Sequence, residues 1–117
     1  MSLAVKRVYE PPSPRDGLRV LVDRLWPRGL KKEDARLDLW ARELAPSTKL
    51  RQWYQHDPEK WPEFRRRYFA EIDEHPDAVK DLVARARRGQ VTLVFSSREE
   101  QLNNAVALRE YLKRRLR

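Results

Sequence analysis

The sequence contains no cysteine, and among its 117 residues it has only three glycines and two histidines. Without cysteine, the chain can form no disulfide, thiolate nucleophile or cysteine-ligated zinc site, and it suits a reducing compartment. No run of about 18 apolar residues occurs, so we expect no membrane span. The first residues lack the apolar region of a signal peptide, so we expect a cytoplasmic protein. The two histidines are far apart and form no H-x-x-H pattern, so we expect neither a metal site nor a cofactor.

Positive charge is what the sequence has in excess. Lysine and arginine number 26 against 18 aspartates and glutamates, which gives a net charge of +8. A basic balance attracts nucleic acids and phosphorylated metabolites alike, so it does not choose between them. The length fits one domain with its own core, and with no repeat or linker we expect a single domain over residues 1–117.

Three segments have the pattern of β-strands. Leu3–Tyr9 alternates, Arg19–Asp23 is a short apolar run, and Gln90–Ser96 is the strongest strand signal in the chain. Helical patterns separate the second strand from the third. The sequence therefore predicts an α/β domain with a small, mainly parallel sheet flanked by helices. The eight-residue loop between the first two strands could close a hairpin or cross over the sheet.

Apolar residues at helical spacing predict five helices. Leu37, Trp40 and Leu44 share a helical face, so we expect a short helix before Pro46. Capping residues or prolines mark the other helix starts, which are Ser47, Asp57-Pro58, Pro76 and the capping box Ser97–Glu100. Trp40, Trp53 and Trp61 lie on the apolar stripes and are expected in the core.

In open α/β sheets, ligands bind beyond the carboxyl ends of the strands. One such end leads into residues 23–29, and another is Ser96-Ser97, directly before the predicted last helix. A helix N-terminus offers unpaired N–H groups to an anion. Arg24 and Arg28 add guanidinium groups that suit phosphate or carboxylate. The sequence therefore predicts a pocket for an anionic small molecule.

Several short motifs, in order and at matching spacing, resemble the YeaO-like family of small bacterial proteins (DUF488). They are VDRLWPRG (Val22–Gly29), ELAPS (Glu43–Ser47), HDP (His56–Pro58), the strand end VTLVFSS and NNA (Asn103–Ala105). The resemblance runs from about Lys6 to Leu112. It implies a domain of unknown function, because the family has no established activity.

A longer branch of the same superfamily is also similar, with an Asp-Val-Arg motif, a Cys-x-Glu and a Cys-His-Arg. Asp23-Arg24 resemble the first motif, whereas Ser96 stands where the first cysteine would be. Asn103-Asn104 fall near the Cys-His-Arg motif. The thiol or metal chemistry that the longer branch suggests therefore does not carry over to this chain.

Four further side chains have both a functional and a structural interpretation. His56 is a candidate acid or base, or else a hydrogen-bonded residue at a helix end. Asp23 could act as a base or orient Arg24, but an aspartate at a strand end more often satisfies loop amides. Trp26 could stack on a planar ligand or pack in the core. Asn104, in the second turn of the predicted last helix, is expected to face the pocket.

A nucleic-acid interface is the alternative function, because arginines cluster on the helices. The clusters are Arg65–Arg67, Arg85 with Arg87-Arg88, and Lys113–Arg115 with Arg117. Acid-before-base pairs at i, i+4 (Glu63–Arg67, Asp81–Arg85 and Glu110–Arg114) are typical of a solvated helix face instead. A partner-binding protein without its own ligand is a third possibility. The pocket remains the leading hypothesis, with the oligomeric state open.

Overall fold

The strongest strand signal of the sequence forms an inner strand of a four-stranded parallel sheet. The computed structural model describes residues 2–117, and in that range the strands are β1 (Ser2–Arg7), β2 (Leu18–Leu21), β3 (Leu39–Trp40) and β4 (Gln90–Phe95). Their order is β1-β4-β2-β3, and each neighbouring pair is parallel. The predicted α/β class and the parallel pairing of β2 with β4 are confirmed.

The position of β4 follows from its composition. Val91–Phe95 is buried at every residue, as expected of a strand covered on both faces. The first two strands are not neighbours, because β4 lies between them, so their loop crosses over the sheet. The register pairs Arg7 with Phe95 and Leu21 with Val94, which brings three carboxyl ends to one edge.

The described residues also form five α-helices. They are α1 (Lys32–Ala35), α2 (Thr48–Tyr54), α3 (Trp61–Asp73), α4 (Pro76–Arg88) and α5 (Asn104–Leu116), with 3-10 turns at Pro14–Asp16, Arg42–Leu44 and Pro58–Lys60. The apolar stripes predicted on α3 and α4 are buried. Trp53 and Trp61 are only partly buried, packed against the core. In residues 2–117 the longest helices are too short and too polar to cross a membrane.

The short helix predicted over Leu37–Leu44 is wrong. Two of these residues form the edge strand β3, and a 3-10 turn follows. The backbone N–H groups of Asp38 and Ala41 donate to the carbonyls of Arg19 and Leu21, at 2.9 and 2.8 Å. Pairing with the exposed edge of β2 satisfies these groups, so tertiary context overrides the local helical spacing.

The predicted start of the last helix at Ser97 is also wrong. Helix α5 begins at Asn104, and Asn103 is its N-cap, with a side-chain oxygen that accepts the N–H of Val106 at 3.0 Å. Asn103 is completely buried. Asn104 is therefore the first residue of the helix and not part of its second turn. Residues 96–103 form a loop between β4 and α5.

Candidate functional site

A cavity of about 760 Å³ opens at the carboxyl ends of β2 and β4. Its walls are the loop after β2, helix α2 with the residues that follow it, and the end of β4. All eight side chains named from the sequence as site candidates line it. They are Asp23, Arg24, Trp26, Arg28, His56, Ser96, Ser97 and Asn104. The geometry thus brings together residues that are up to 81 positions apart along the chain.

Asp23 connects the strand ends to helix α5. One carboxylate oxygen accepts both the backbone N–H and the hydroxyl of Ser96, each at 2.8 Å. The other oxygen accepts the side-chain amide of Asn104 at 3.1 Å. That amide also donates to the Val22 carbonyl at 2.8 Å. Asp23 therefore satisfies strand-end donors, and the donors of Ser96 and Asn104 are already engaged.

The loop that follows β4 also satisfies its own amides. The Ser97 hydroxyl accepts the N–H of Glu99 at 3.0 Å. The Glu99 carboxylate accepts the N–H groups of Leu102 and Gln101, at 3.0 and 2.8 Å, and these bonds lower the pKa of Glu99. Because no helix begins at Ser97, the helix N-terminal anion site predicted there is absent. A carboxylate of the chain itself occupies the donors of this turn.

The arginines of the cavity are arranged differently from Asp23. The Arg24 guanidinium donates to the carbonyls of Pro46 and Ala45, at 3.3 and 3.5 Å. Neither Arg24 nor Arg28 forms an ion pair with a carboxylate of residues 2–117. The alternative in which Asp23, Glu33 or Asp34 neutralises them is thus not observed. Their charge remains available at the cavity.

Sequence reasoning missed the side chains that α2 contributes to the cavity. Arg51 and Gln52 lie on α2, and Gln55 follows it. Arg51 likewise has no ion pair with a carboxylate in the described range. Leu50 and Tyr54 mark the buried face of this helix. A helical wheel drawn from these two residues would have shown which polar residues flank the core-facing stripe.

His56 reaches the cavity through an unusual turn. It has a φ of 55°, and Gln55 before it has a φ of 47°, so two successive non-glycine residues are left-handed. Such conformations cost free energy and persist where the surrounding structure imposes them. The exposed His56 ring lies 5.6 Å from the Tyr54 ring. Burial raises the pKa of Tyr54 to about 12, and its hydroxyl donates to the Leu102 carbonyl at 2.8 Å.

Trp26 lines the cavity, and it is 36% exposed. Its indole N–H donates to the Leu30 carbonyl at 2.7 Å. The ring meets Trp40 edge to face, with centroids 5.7 Å apart and planes at 68°. The indole therefore offers an aromatic surface but no free N–H donor.

The basic helix faces outside the cavity are partly paired with carboxylates. The i, i+4 pairs predicted from the sequence all form ion pairs, at 2.7 Å for Glu63–Arg67, 2.9 Å for Asp81–Arg85 and 3.3 Å for Glu110–Arg114. Arg66 also pairs with Glu63, at 2.7 Å. Over residues 2–117, no cluster of three or more histidines and acidic residues is arranged to hold a metal ion.

Comparisons with known proteins place this chain among relatives of similar length. It is 41% identical over 113 residues to the uncharacterized protein YeaO of Escherichia coli (strain K12), which covers 97% of this chain and 98% of YeaO. It is 43% identical over 108 residues to the uncharacterized protein Rv3073c of Mycobacterium tuberculosis (strain ATCC 25618 / H37Rv), covering 92% of this chain and 91% of that protein. No solved structure matches it.

A family model matches nearly every residue of the chain. The match covers residues 2–117, and the family is described as the inactive DUF488-N3 subclade. This agrees with the motifs at the strand ends, which resemble the YeaO-like proteins. The chain therefore belongs to the DUF488-N3i family and is a relative of YeaO.

Proposed function

We propose that the protein binds a small anionic molecule, bearing phosphate or carboxylate, in the cavity at the strand ends, and that it does so in the cytoplasm. One observation carries this proposal. Three guanidinium groups, those of Arg24, Arg28 and Arg51, line the cavity without a carboxylate partner in residues 2–117. Guanidinium groups favour bidentate hydrogen bonds to carboxylate or phosphate, so a bound anion would supply the missing partner.

The hydrogen bonds of Asp23 strengthen this argument. Among the described lining residues, Asp23 is the one carboxylate. It is committed to Ser96 and Asn104, so it is not oriented by the arginines. The positive potential of the three guanidinium groups is therefore only partly cancelled within the cavity.

Binding without turnover is the form of the proposal that the residues support best. The Ser96 hydroxyl, at the position of the longer branch's first cysteine, donates to Asp23 at 2.8 Å. The sequence around it has no nucleophile elbow. The description of the family as an inactive subclade is consistent with a binding role. His56 would orient the ligand in this proposal, whereas Asn104 would act through Asp23, because both donors of its amide are already bonded.

A thermal-shift screen tests the proposal. The panel contains inorganic phosphate, sulfate, sugar phosphates, nucleotides and di- and tricarboxylates. A ligand at 100 times its Kd stabilises a protein by about 2.7 kcal/mol, which corresponds to a rise in Tm of roughly 10 °C for a domain of this size. At least one compound should produce such a rise, and the double variant Arg24→Ala, Arg28→Ala should lose it.

The matched control removes two positive charges elsewhere. Lys80 and Arg88 lie exposed on α4, which contributes no residue to the cavity. The variant Lys80→Ala, Arg88→Ala should respond to the ligand as the wild type does. Equal responses from all three proteins, or no response to any compound, would contradict the proposal. The nucleic-acid alternative predicts a different result. The cavity variant should then bind an oligonucleotide as tightly as the wild type does, and the α4 variant should lose that binding.

A further inference from the structure

Trp26 lines the cavity, where it is 36% exposed. Its N–H is used by the Leu30 carbonyl, and the edge-to-face contact with Trp40 fixes one side of it. The indole has no second hydrogen-bonding group to offer. What this side chain can give a ligand is therefore an aromatic surface for stacking.

Trp40, which packs against Trp26, is itself fixed by two contacts. The Trp40 indole donates to the Asp23 carbonyl at 2.6 Å. The Arg42 guanidinium lies over the Trp40 ring, 3.9 Å from its centroid. A stacking surface fixed in this way loses little side-chain freedom on binding, so more of the contact energy appears as affinity.

The charge of the cavity indicates which anion would accompany an aromatic ring. A single guanidinium is enough to pair with a carboxylate of one negative charge. A phosphate monoester carries about −1.5 to −2 charges at neutral pH and three acceptor oxygens. Arg24, Arg28 and Arg51 together suit this second group better.

Two amide side chains complete the set of functional groups. Gln52 and Gln55 line the cavity, and both are exposed. An amide presents a donor and an acceptor side by side, which matches the heteroatom edge of a nucleobase. The volume of about 760 Å³ lies within the usual range for small-ligand sites.

We propose that the ligand is a nucleotide, with its base stacked on Trp26, its phosphate on the arginines and the edge of its base read by Gln52 and Gln55. This inference rests on the proposed function, because it requires that the cavity binds an anion. Either a free mononucleotide or the 5′-phosphorylated end of a single strand has the required chemistry.

Calorimetric titration separates the contributions of ring and phosphate. The probes are the four ribonucleoside 5′-monophosphates, the four nucleosides and ribose 5-phosphate. At least one monophosphate should bind about fivefold or more tightly than ribose 5-phosphate, since stacking a base on an aromatic side chain contributes roughly 5- to 150-fold in affinity. Trp26→Ala should remove most of this gain, leaving only the part due to Gln52 and Gln55, and Trp26→Phe should retain most of it. Unchanged binding of ribose 5-phosphate by Trp26→Ala would show that the cavity remains intact.

Tryptophan fluorescence gives an independent readout. The nucleotide should quench the emission of the wild type and of Trp53→Phe, because Trp53 does not line the cavity. The quenching should disappear in Trp26→Phe. A 5′-phosphorylated oligonucleotide that binds more tightly than the mononucleotide, with the same dependence on Trp26, would assign the site to a strand end.

The outcomes distinguish the nucleotide assignment from the proposal that the cavity binds an anion. If ribose 5-phosphate, or a carboxylate from the thermal-shift panel, binds as tightly as every nucleotide and Trp26→Ala has no effect, the ligand is not a nucleotide while the anion site stands. If no anion binds in an arginine-dependent way, both ideas fail. Nucleosides that bind as well as their monophosphates would also overturn the assignment, because the phosphate would then contribute nothing.

Discussion

The substitution Asp23→Asn should destabilise the protein by more than its modest chemical change suggests. An asparagine at this position has one oxygen, which can keep both bonds from Ser96. Its NH₂ group then faces the Asn104 amide, at the position where the Asp23 carboxylate accepts at 3.1 Å. Asn104 cannot relieve this contact by flipping its own amide, because its NH₂ group also donates to the Val22 carbonyl at 2.8 Å. Two donors therefore meet with no acceptor between them.

The size of the effect follows from these contacts. One hydrogen bond to a charged group is lost, which costs about 1.5–3 kcal/mol. Asp23 is only half-buried, so the lower part of this range applies. The two bonds from Ser96 also weaken, because their acceptor becomes neutral. We expect a total loss of about 2–3 kcal/mol in the free energy of unfolding, or roughly 8–12 °C in Tm.

Urea unfolding followed by circular dichroism measures this loss, and Asp34→Asn is the matched control. Asp34 is exposed on α1, and its side chain has no hydrogen bond within residues 2–117. The control should stay within about 0.5 kcal/mol of the wild type. If Asp23→Asn also stays within that limit, the carboxylate does not hold the strand ends together as its contacts imply.

Two further predictions concern the opposite edge of the sheet. Gly17 has a φ of 61°, and an added Cβ would lie 2.3 Å from the Gln90 carbonyl oxygen. Gly17→Ala should therefore lower the free energy of unfolding by about 2–4 kcal/mol. Gly29→Ala is the control in denaturation experiments, because Gly29 also has a positive φ but no atom lies within 4 Å of its Cβ position. Equal losses of unfolding free energy in the two variants would refute the role of the clash. Burial raises the pKa of Asp16, but the Ser13 N–H and two cationic side chains outweigh it and hold the pKa below its ordinary value. Asp16 therefore contributes stability that is present above about pH 4 and lost as the pH falls through its folded pKa. The difference in unfolding free energy between the wild type and Asp16→Asn should shrink between pH 7 and pH 3. A constant difference would contradict this.

The parts of the fold that the sequence predicts well are those in which a local pattern and burial agree. Strand β4 has five consecutive buried residues, and α4 has its apolar residues at i, i+3, i+4 and i+7. Strand β3 has two residues, too few to show any periodicity. Its conformation depends on the free edge of β2, which no local window of sequence contains.

The start of α5 shows a different limit of sequence reasoning. Ser97 and Glu100 have the spacing of a capping box, but the side chains that accept backbone N–H groups here are those of Ser97 and Glu99. The same bonds stabilise a loop turn as well as they would a helix. What decides between them is Asn103, which is fully buried and caps α5 six residues later. Burial of a cap is a tertiary property, so the motif alone did not reveal it.

The site candidates were predictable because parallel strands place their carboxyl ends at one edge, whatever the helices do. Their hydrogen bonds and ion pairs separate these candidates into two groups, which the sequence alone does not distinguish. Asp23 and its partners form a closed set of hydrogen bonds, so changes there should act on stability first. Arg24, Arg28 and Arg51 have no carboxylate to balance them in residues 2–117, so changes there should act on binding first. Because the Asp23 carboxylate is bonded to Ser96 and Asn104, it does not neutralise the arginines of the cavity.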